Sequence, residues 1–346
     1  MTKMLAALLY GKEDIRIEKI EIPKINDNEV LVKVETALTC GTDLKVFKRG
    51  YHAQMIKLPD VFGHEFSGII AQVGKKVKNW KMGQRVVAAN SAPCDECFYC
   101  KINRKSLCEN IEWNNGAYAQ FIKIPHRIVE KNMLEIPKNT TFNEAALVEP
   151  LACVVHGIED CSIKAGDVVV INGSGPIGLM FVKLSKLKGA KVIITDFSEE
   201  RLETAKNLGA DETINLNGVK DVVKAVRVLT EDERGTDVAI ESVGKPETWE
   251  KTIMMARKGG TVNLFGGCPQ NTSIKIDTSL IHYNELTLKG TFHHTPEYIR
   301  EALRLISTKK VDANKWISKE MPLENLLDAF KEMMNQKVIK VAIKPN

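Results

Sequence analysis

Cys94, Cys97, Cys100 and Cys108 follow one another as C-x2-C-x2-C-x7-C. Four thiolates this close in the chain can enclose one metal ion tetrahedrally, and Zn²⁺ is the usual occupant of a closed four-cysteine site. The first three gaps also suit an iron–sulfur cluster, an alternative that the rest of the chain disfavours. Pro93, Asp95 and Glu96 put the group on an exposed loop. A closed site of this kind supports a fold and catalyses nothing. As a zinc ribbon the loop would touch nucleic acid through Lys101, Arg104 and Lys105 with Phe98 and Tyr99. One short patch falls short of the clustered basic and aromatic surface such a ribbon needs.

A second set of donors is scattered. Cys40 stands in Thr39-Cys40-Gly41-Thr42-Asp43, after an alternating stretch from Glu29 to Leu38 that reads as a strand. His64 and Glu65 stand in Gly63-His64-Glu65-Phe66-Ser67-Gly68. A thiolate, an imidazole and a carboxylate make a catalytic ligand set, but each alone is more often structural. Spacing cannot join residues 24 positions apart.

The elements that would present a cofactor are plainer. Val168 to Asn172 is a short β-branched run that reads as a buried parallel strand, and it leads into Gly173-Ser174-Gly175-Pro176-Ile177-Gly178. A helix pattern follows through Leu179, Phe181, Val182, Leu184 and Leu187, then a strand from Lys191 to Thr195 that ends in Asp196. Strand, G-x-G-x-x-G turn, helix, strand and acid in this order bind a dinucleotide. Gly173 makes the tight turn, Gly175 admits the pyrophosphate and Gly178 lets helix and strand pack closely. The helix N-terminus faces the phosphate charge. Asp196 can accept from an adenosine ribose and would repel a 2′-phosphate, which favours NAD over NADP, although Arg201 lies near enough to serve a phosphate.

The alternation continues with helices over 199–208, 219–229 and 246–256 and strands over 212–215, 237–242, 261–265 and 286–291. The expected fold is α/β, a doubly wound parallel sheet of about six strands. With 346 residues the chain should form about two domains. At 44% hydrophobic and 27% charged residues it has core and polar surface in ordinary proportion. The apolar stretch Met4–Tyr10 is too short for a signal peptide, and no run spans a bilayer. Cys40, Cys153, Cys161 and Cys268 are scattered, which suits a reducing cytoplasm. The net charge of +5 is spread along the chain, so neither nucleic acid nor membrane is expected as a partner.

Gly63, His64, Glu65, Gly68, Gly74 and Val77 spell G-H-E-x2-G-x5-G-x2-V. This pattern, with Cys-Gly-Thr-Asp at 40–43, the four-cysteine lobe and the late dinucleotide fold, resembles the zinc-containing medium-chain dehydrogenases over essentially the whole chain. A zinc-free quinone reductase of the same superfamily would lack Cys40, His64 and the lobe together. The resemblance implies a Rossmann domain over 150–289. It implies a mostly β, GroES-like catalytic domain over 1–149 and 290–346, with a structural zinc lobe at 90–110 and a helix from Tyr298 to Ser307. It implies one structural zinc on Cys94, Cys97, Cys100 and Cys108 and one catalytic zinc on Cys40 and His64, completed by Glu65 or Glu149. Cys153 sits four residues after Glu149, on the same face if the segment is helical; the matching family ligand is the glutamate.

The activity implied is zinc-assisted hydride transfer from an alcohol to NAD, with Thr42 passing on the alcohol proton. Relatives commonly end this relay on a histidine three residues after the threonine. Here Lys45 stands there, and His52 is a possible substitute. The cofactor contacts implied are Gly173, Gly175, Pro176, Ile177, Gly178, Asp196, Arg201, Phe265, Gly266, Thr291 and Phe292. Glu149-Pro150-Leu151 resembles the sorbitol dehydrogenase branch, which makes a polyol or vicinal diol the expected substrate. That branch typically carries Phe-Arg-Tyr where this chain has Phe292-His293-His294. The departure keeps threonine, a simple secondary alcohol and a sugar phosphate open. Relatives form dimers and tetramers, and a homotetramer is expected.

Overall fold

The computed structural model describes residues 2–51 and 56–346. The chain divides into two compact units, residues 1–152 with 294–346, and residues 153–293. The expected limits lie at 149/150 and 289/290. The helix Val148–Cys161 runs through the first division, and the second falls in the coil beyond the strand Thr287–Lys289.

In residues 153–293 the described strands form one six-stranded sheet. Its order is Glu212–Asn215, Lys191–Asp196, Val168–Asn172, Thr236–Glu241, Ala256–Leu264, Thr287–Lys289. Every neighbouring pair is parallel, and the sequence order 3-2-1-4-5-6 is that of a doubly wound dinucleotide fold. The central strands are buried on both faces, which is why Val168–Asn172 and Lys191–Asp196 are β-branched runs rather than alternating ones. Val170, Ile193, Ala239 and Val262 form the middle of the core beneath the helices.

Three expected boundaries move, each for a local reason. The helix expected over 219–229 spans Val222–Arg227, because the Asp221 side chain caps it by accepting from the Lys224 N–H. The strand expected over 261–265 starts already at Ala256, directly after the helix Pro246–Met255. The last strand stops at Lys289, and the Thr291 hydroxyl is bonded to Asp160.

Residues 2–152 and 294–346 are built on mostly antiparallel sheet, with Ile317–Pro322 and Lys340–Lys344 paired in parallel. The strand Val30–Leu38 is central and pairs with Glu65–Val73, Phe121–Ile124 and Lys340–Lys344. Phe62, Tyr118 and Phe330 pack edge to face beneath it, with ring centroids 5.1 to 6.2 Å apart. The register decides what meets at one end of the sheet: Leu38 lies opposite Glu65 on one side and Ala342 on the other. Cys40, His64, Glu65 and Lys340 are therefore gathered from three strand ends.

Candidate metal centres and dinucleotide site

Cys40 is the N-cap of the helix Gly41–Arg49, and its sulfur accepts from the Thr42 N–H at 3.4 Å. One ligand atom each from Cys40, His64 and Glu65 lie within 4.8 Å of one another. Asp43, buried in the first turn of that helix, places Oδ1 2.9 Å from His64 Nδ1. The Tyr118 hydroxyl lies 2.7 Å from Asp43 Oδ2 and 3.1 Å from the Leu38 carbonyl. With Nδ1 engaged, Nε2 is the nitrogen left for a metal, the arrangement in which a carboxylate fixes the tautomer and orientation of a ligand histidine. Burial opposes charge on His64, but the Asp43 carboxylate and the Cys40 sulfur outweigh it and hold its pKa well above the ordinary imidazole range. Surroundings that favour a proton there also favour a metal cation, so sulfur, nitrogen and field together fit zinc.

The two carboxylates differ. Glu65 is fully buried, and both of its oxygens accept from Lys340 Nζ, at 2.8 and 2.6 Å. Lys340 is itself 2% exposed and also donates to the Thr39 carbonyl at 3.0 Å. Glu65 thus already has a cation. Glu149 sits in the first turn of the helix Val148–Cys161. Burial pushes its carboxyl up to about 7, against the pull of nearby His64 and with a further rise from the Glu65 charge. Its Oε1 lies 3.7 Å from His294 Nε2. His294 is buried, and its Nε2 lies 2.9 Å from Asn90 Oδ1, so it braces the Glu149 side of the site from behind. Thr42 is half-buried, Lys45 is exposed, and His52 lies outside the described residues. Cys153 belongs to none of the potential metal groups found among the described residues.

Asp43, Tyr118, Asn90 and Lys340 are the functional neighbours that sequence reasoning missed. Two of them left a signal: Asp43 in the Cys-Gly-Thr-Asp stretch, and Lys340 as a lone cation in the apolar run Val338-Ile339-Lys340-Val341-Ala342-Ile343.

The second centre is the lobe. The sulfurs of Cys94, Cys97, Cys100 and Cys108 all lie within 4.8 Å of one another, with separations of 3.4, 3.9 and 4.0 Å among them. Four sulfurs bound to zinc at about 2.3 Å in a tetrahedron stand about 3.8 Å apart, so the cradle is of zinc size. N–H groups of Glu96 and Cys97 point at Cys94 Sγ at 3.4 and 3.3 Å. The Glu96 N–H leads in lowering the Cys94 pKa to about 6, a thiolate prepared for a cation. Lys131 holds the loop by bonding the Pro93 carbonyl and Asp95, while Lys105 pairs with Glu297 at 2.8 Å. That pairing neutralises part of the patch a nucleic-acid ribbon would have used.

In residues 153–293 the glycine turn has the form its chemistry requires. Gly173 adopts φ +98°, and a Cβ on Gly178 would stand 1.8 Å from the Gly173 carbonyl. A Cβ on Gly175 would meet nothing within 4 Å, and no side chain caps the helix Pro176–Leu187 that begins beside it. The open space and the uncapped N–H groups fit a pyrophosphate. Asp196 accepts from Ser174 N–H at 2.6 Å and from Phe197 and Ser198 N–H, tying the turn to the end of the second strand. Burial lowers the Arg201 pKa, which the nearby Asp196 and Glu200 charges partly oppose. Ile177 is half-buried in the first turn of the helix. Phe265 packs edge-on against Phe181 at 5.0 Å, so its backbone rather than its ring is left for a ligand. Gly266 beside it bonds Trp249 through its carbonyl. Thr291 is buried with its hydroxyl on Asp160, and Phe292 is exposed.

Residues 26–138 match the model of the alcohol dehydrogenase GroES-like domain, and residues 176–308 match that of the zinc-binding dehydrogenases. A sorbitol dehydrogenase of Bacillus subtilis is 32% identical over 352 residues, covering 99% of this chain and 98% of that protein. An L-threonine 3-dehydrogenase of Bacillus velezensis is 34% identical, covering 95% of each. The crystal structure of a zinc-binding dehydrogenase from Sinorhizobium meliloti bound to NADP is 31% identical, with a TM-score of 0.91 and full coverage of both chains. By these matches and by its cysteine, histidine and carboxylate donor groups, the chain belongs to the zinc-containing medium-chain dehydrogenases, zinc- and NAD(P)-dependent oxidoreductases, and is similar within them to the sorbitol dehydrogenases.

Proposed function

We propose that this protein oxidises a secondary alcohol, a polyol or vicinal diol, to the ketone, with NAD as the hydride acceptor. The observation that carries the reaction is the Cys40–His64–Glu65 donor group within a chain of this family. The substrate class is supported by relatives such as the Bacillus subtilis sorbitol dehydrogenase and by Glu149-Pro150-Leu151. Zinc on Cys40 and His64, completed by Glu149 or Glu65, would act as a Lewis acid toward the substrate hydroxyl, and the nicotinamide would take the hydride.

The chain's own residues do the rest. Asp43 accepts from Nδ1 of His64 and so directs Nε2 to the metal. Lys340 offsets the Glu65 charge, which lessens the repulsion that a buried carboxylate would exert on the alcohol oxygen as it loses its proton. Thr42 Oγ1 accepts the proton that leaves the alcohol. Lys45 is exposed; with NAD bound, Thr42 would pass the proton through the ribose hydroxyls toward solvent. The lobe of Cys94, Cys97, Cys100 and Cys108 binds the structural zinc. Asp196 selects NAD, since its charge opposes a 2′-phosphate. None of the eight cysteines forms a disulfide, which suits a cytoplasmic enzyme, and the family resemblance supports a homotetramer.

A second reading, oxidation of L-threonine at its 3-hydroxyl, is favoured by the Bacillus velezensis relative. NADH formation by the zinc-loaded protein across sorbitol, xylitol, 2,3-butanediol, threonine and 2-propanol, each with NAD and NADP, separates the readings. Turnover of a polyol or diol with NAD supports the proposal. Turnover of threonine alone would replace its substrate, and faster turnover with NADP would overturn the role of Asp196.

A further inference from the structure

Side chains outside the proposed chemistry tie the segment after the last strand of the dinucleotide sheet to the helix Val148–Cys161. Asp160 pairs through Oδ1 with Lys289 Nζ, and its Oδ2 accepts from the Thr291 hydroxyl at 2.8 Å. The same hydroxyl oxygen accepts from the Asn263 amide at 3.1 Å. One turn earlier on the helix, His156 Nδ1 lies 2.8 Å from the His293 carbonyl oxygen and donates to it, since a carbonyl can only accept. His156 Nε2 lies 3.4 Å from Asp160 Oδ2. Residues four apart share a helix face, so one face carries the whole clamp. Most of the clamp is buried: the side chains of His156 and Asp160 are 11% and 13% exposed and Asn263 is 1% exposed, while Lys289 reaches toward solvent at 31%.

The backbone gives the clamp something to hold. His293 has φ +62°, in the left-handed region. For a residue with a side chain that conformation is unfavourable, because Cβ crowds the backbone carbonyl. The His156 bond to its carbonyl opposes that cost. Thr291 engages Asp160 and Asn263 through its hydroxyl, so any contact it makes with a ligand is through its backbone.

We propose that His156 and Asp160 are positioning residues for the dinucleotide: they hold residues 289–293 in the conformation in which the Thr291–Phe292 backbone meets the nicotinamide half. The proposal rests on the reading of Gly173–Gly178 and Thr291–Phe292 as two ends of one cofactor site. The adenosine half is read from a different stretch, the glycine turn and Asp196, so the two halves of the ligand should respond differently.

The test compares the Kd of NADH with that of ADP-ribose, which lacks the nicotinamide, in the zinc-loaded full-length protein. His156→Leu should weaken NADH about tenfold, the loss of one buried hydrogen bond, and leave ADP-ribose within about twofold. His156→Asn, whose amide can donate from near the position of Nδ1, should restore NADH to within about threefold. Thr291→Val, which removes the hydroxyl at nearly constant shape, should reproduce the split, with the fold confirmed by circular dichroism. Equal weakening of both ligands would reduce the clamp to a fold-stabilising role and overturn the proposal. Unchanged NADH binding in His156→Leu and Thr291→Val would overturn it too. A wild-type protein that binds neither ligand would instead remove the dinucleotide reading, and the clamp's role with it.

Discussion

Lys340→Met tests the idea that the metal-site carboxylate Glu65 is held by a buried cation. Lys340 makes three hydrogen bonds, two to Glu65 and one to the Thr39 carbonyl, and the two side chains are 2% and 0% exposed. Methionine keeps the length and the packing of the aliphatic stem, so little cavity term enters. What is lost is the charge partner of a carboxylate out of reach of water. At about 2.7 Å and an effective dielectric of about 20, the gross attraction is roughly 6 kcal/mol. Breaking such a pair from one side typically costs about 3–5 kcal/mol, because one charge stays buried alone. Urea unfolding of the zinc-loaded protein should therefore show a loss of about 3–5 kcal/mol for Lys340→Met. Adding Glu65→Gln, which removes the stranded charge, should recover more than half of it, leaving the Thr39 carbonyl as the unpaired remainder. A loss under about 1 kcal/mol, or a double variant no more stable than Lys340→Met, would exclude a buried charge held by Lys340. Either would mean that Glu65 is solvated or otherwise neutralised.

Other outcomes follow from the same geometry. Cys40→Ser or His64→Ala should abolish turnover and release one zinc per chain while NADH still binds; activity surviving in either variant rules out the proposed metal centre. Gly178→Ala would drive a Cβ to 1.8 Å from the Gly173 carbonyl. It should cost several-fold or more in NADH affinity, checked by titration with the fold confirmed by circular dichroism. Glu144 caps the helix Phe142–Ala146 with Thr141 and pairs with Lys309 at 2.6 Å. Burial pushes its carboxyl up, but Lys309 and the Thr141 N–H and hydroxyl more than reverse this, and its pKa lies below the usual value. A depressed folded pKa contributes stability above the unfolded pKa of about 4.3 and loses it as pH falls through the folded value. Glu144→Gln should therefore cost about 1–2 kcal/mol at pH 7 and progressively less below about pH 4, in paired unfolding curves. A penalty that stays constant down to pH 3 would show that the lost interaction is not electrostatic.

The lobe and the glycine turn were legible because everything they need is contiguous. Cys94 to Cys108 close a metal cradle within one loop, and Val168 to Asp196 contain strand, turn, helix and acid in order. Cys40 and His64 were legible only by resemblance, since no local rule carries across the residues between them. Folding also gave side chains partners that the sequence does not announce. Thr291, expected to face the cofactor, spends its hydroxyl on Asp160, and Phe265 turns its ring to Phe181. His294, where the sorbitol dehydrogenase branch typically carries tyrosine, is buried against Asn90 and Glu149. Lengths were less legible than identities: the Asp221 cap shortened one helix, because a side-chain acceptor competes with one more turn of backbone.

By itself the sequence determined the elements of the dinucleotide sheet, the ligands of the four-cysteine lobe and the chemical type of each donor, all of which depend on neighbours along the chain. Tertiary structure decided which buried charges are paired. Asp43 behind His64, Lys340 on Glu65 and the clamp of His156 and Asp160 join residues 4 to 275 positions apart. Whether a carboxylate is a ligand, a brace or a solvated surface group depends on what stands within about 3 Å of it and on how little water reaches it. The register that sets Leu38 opposite both Glu65 and Ala342 supplies those neighbours.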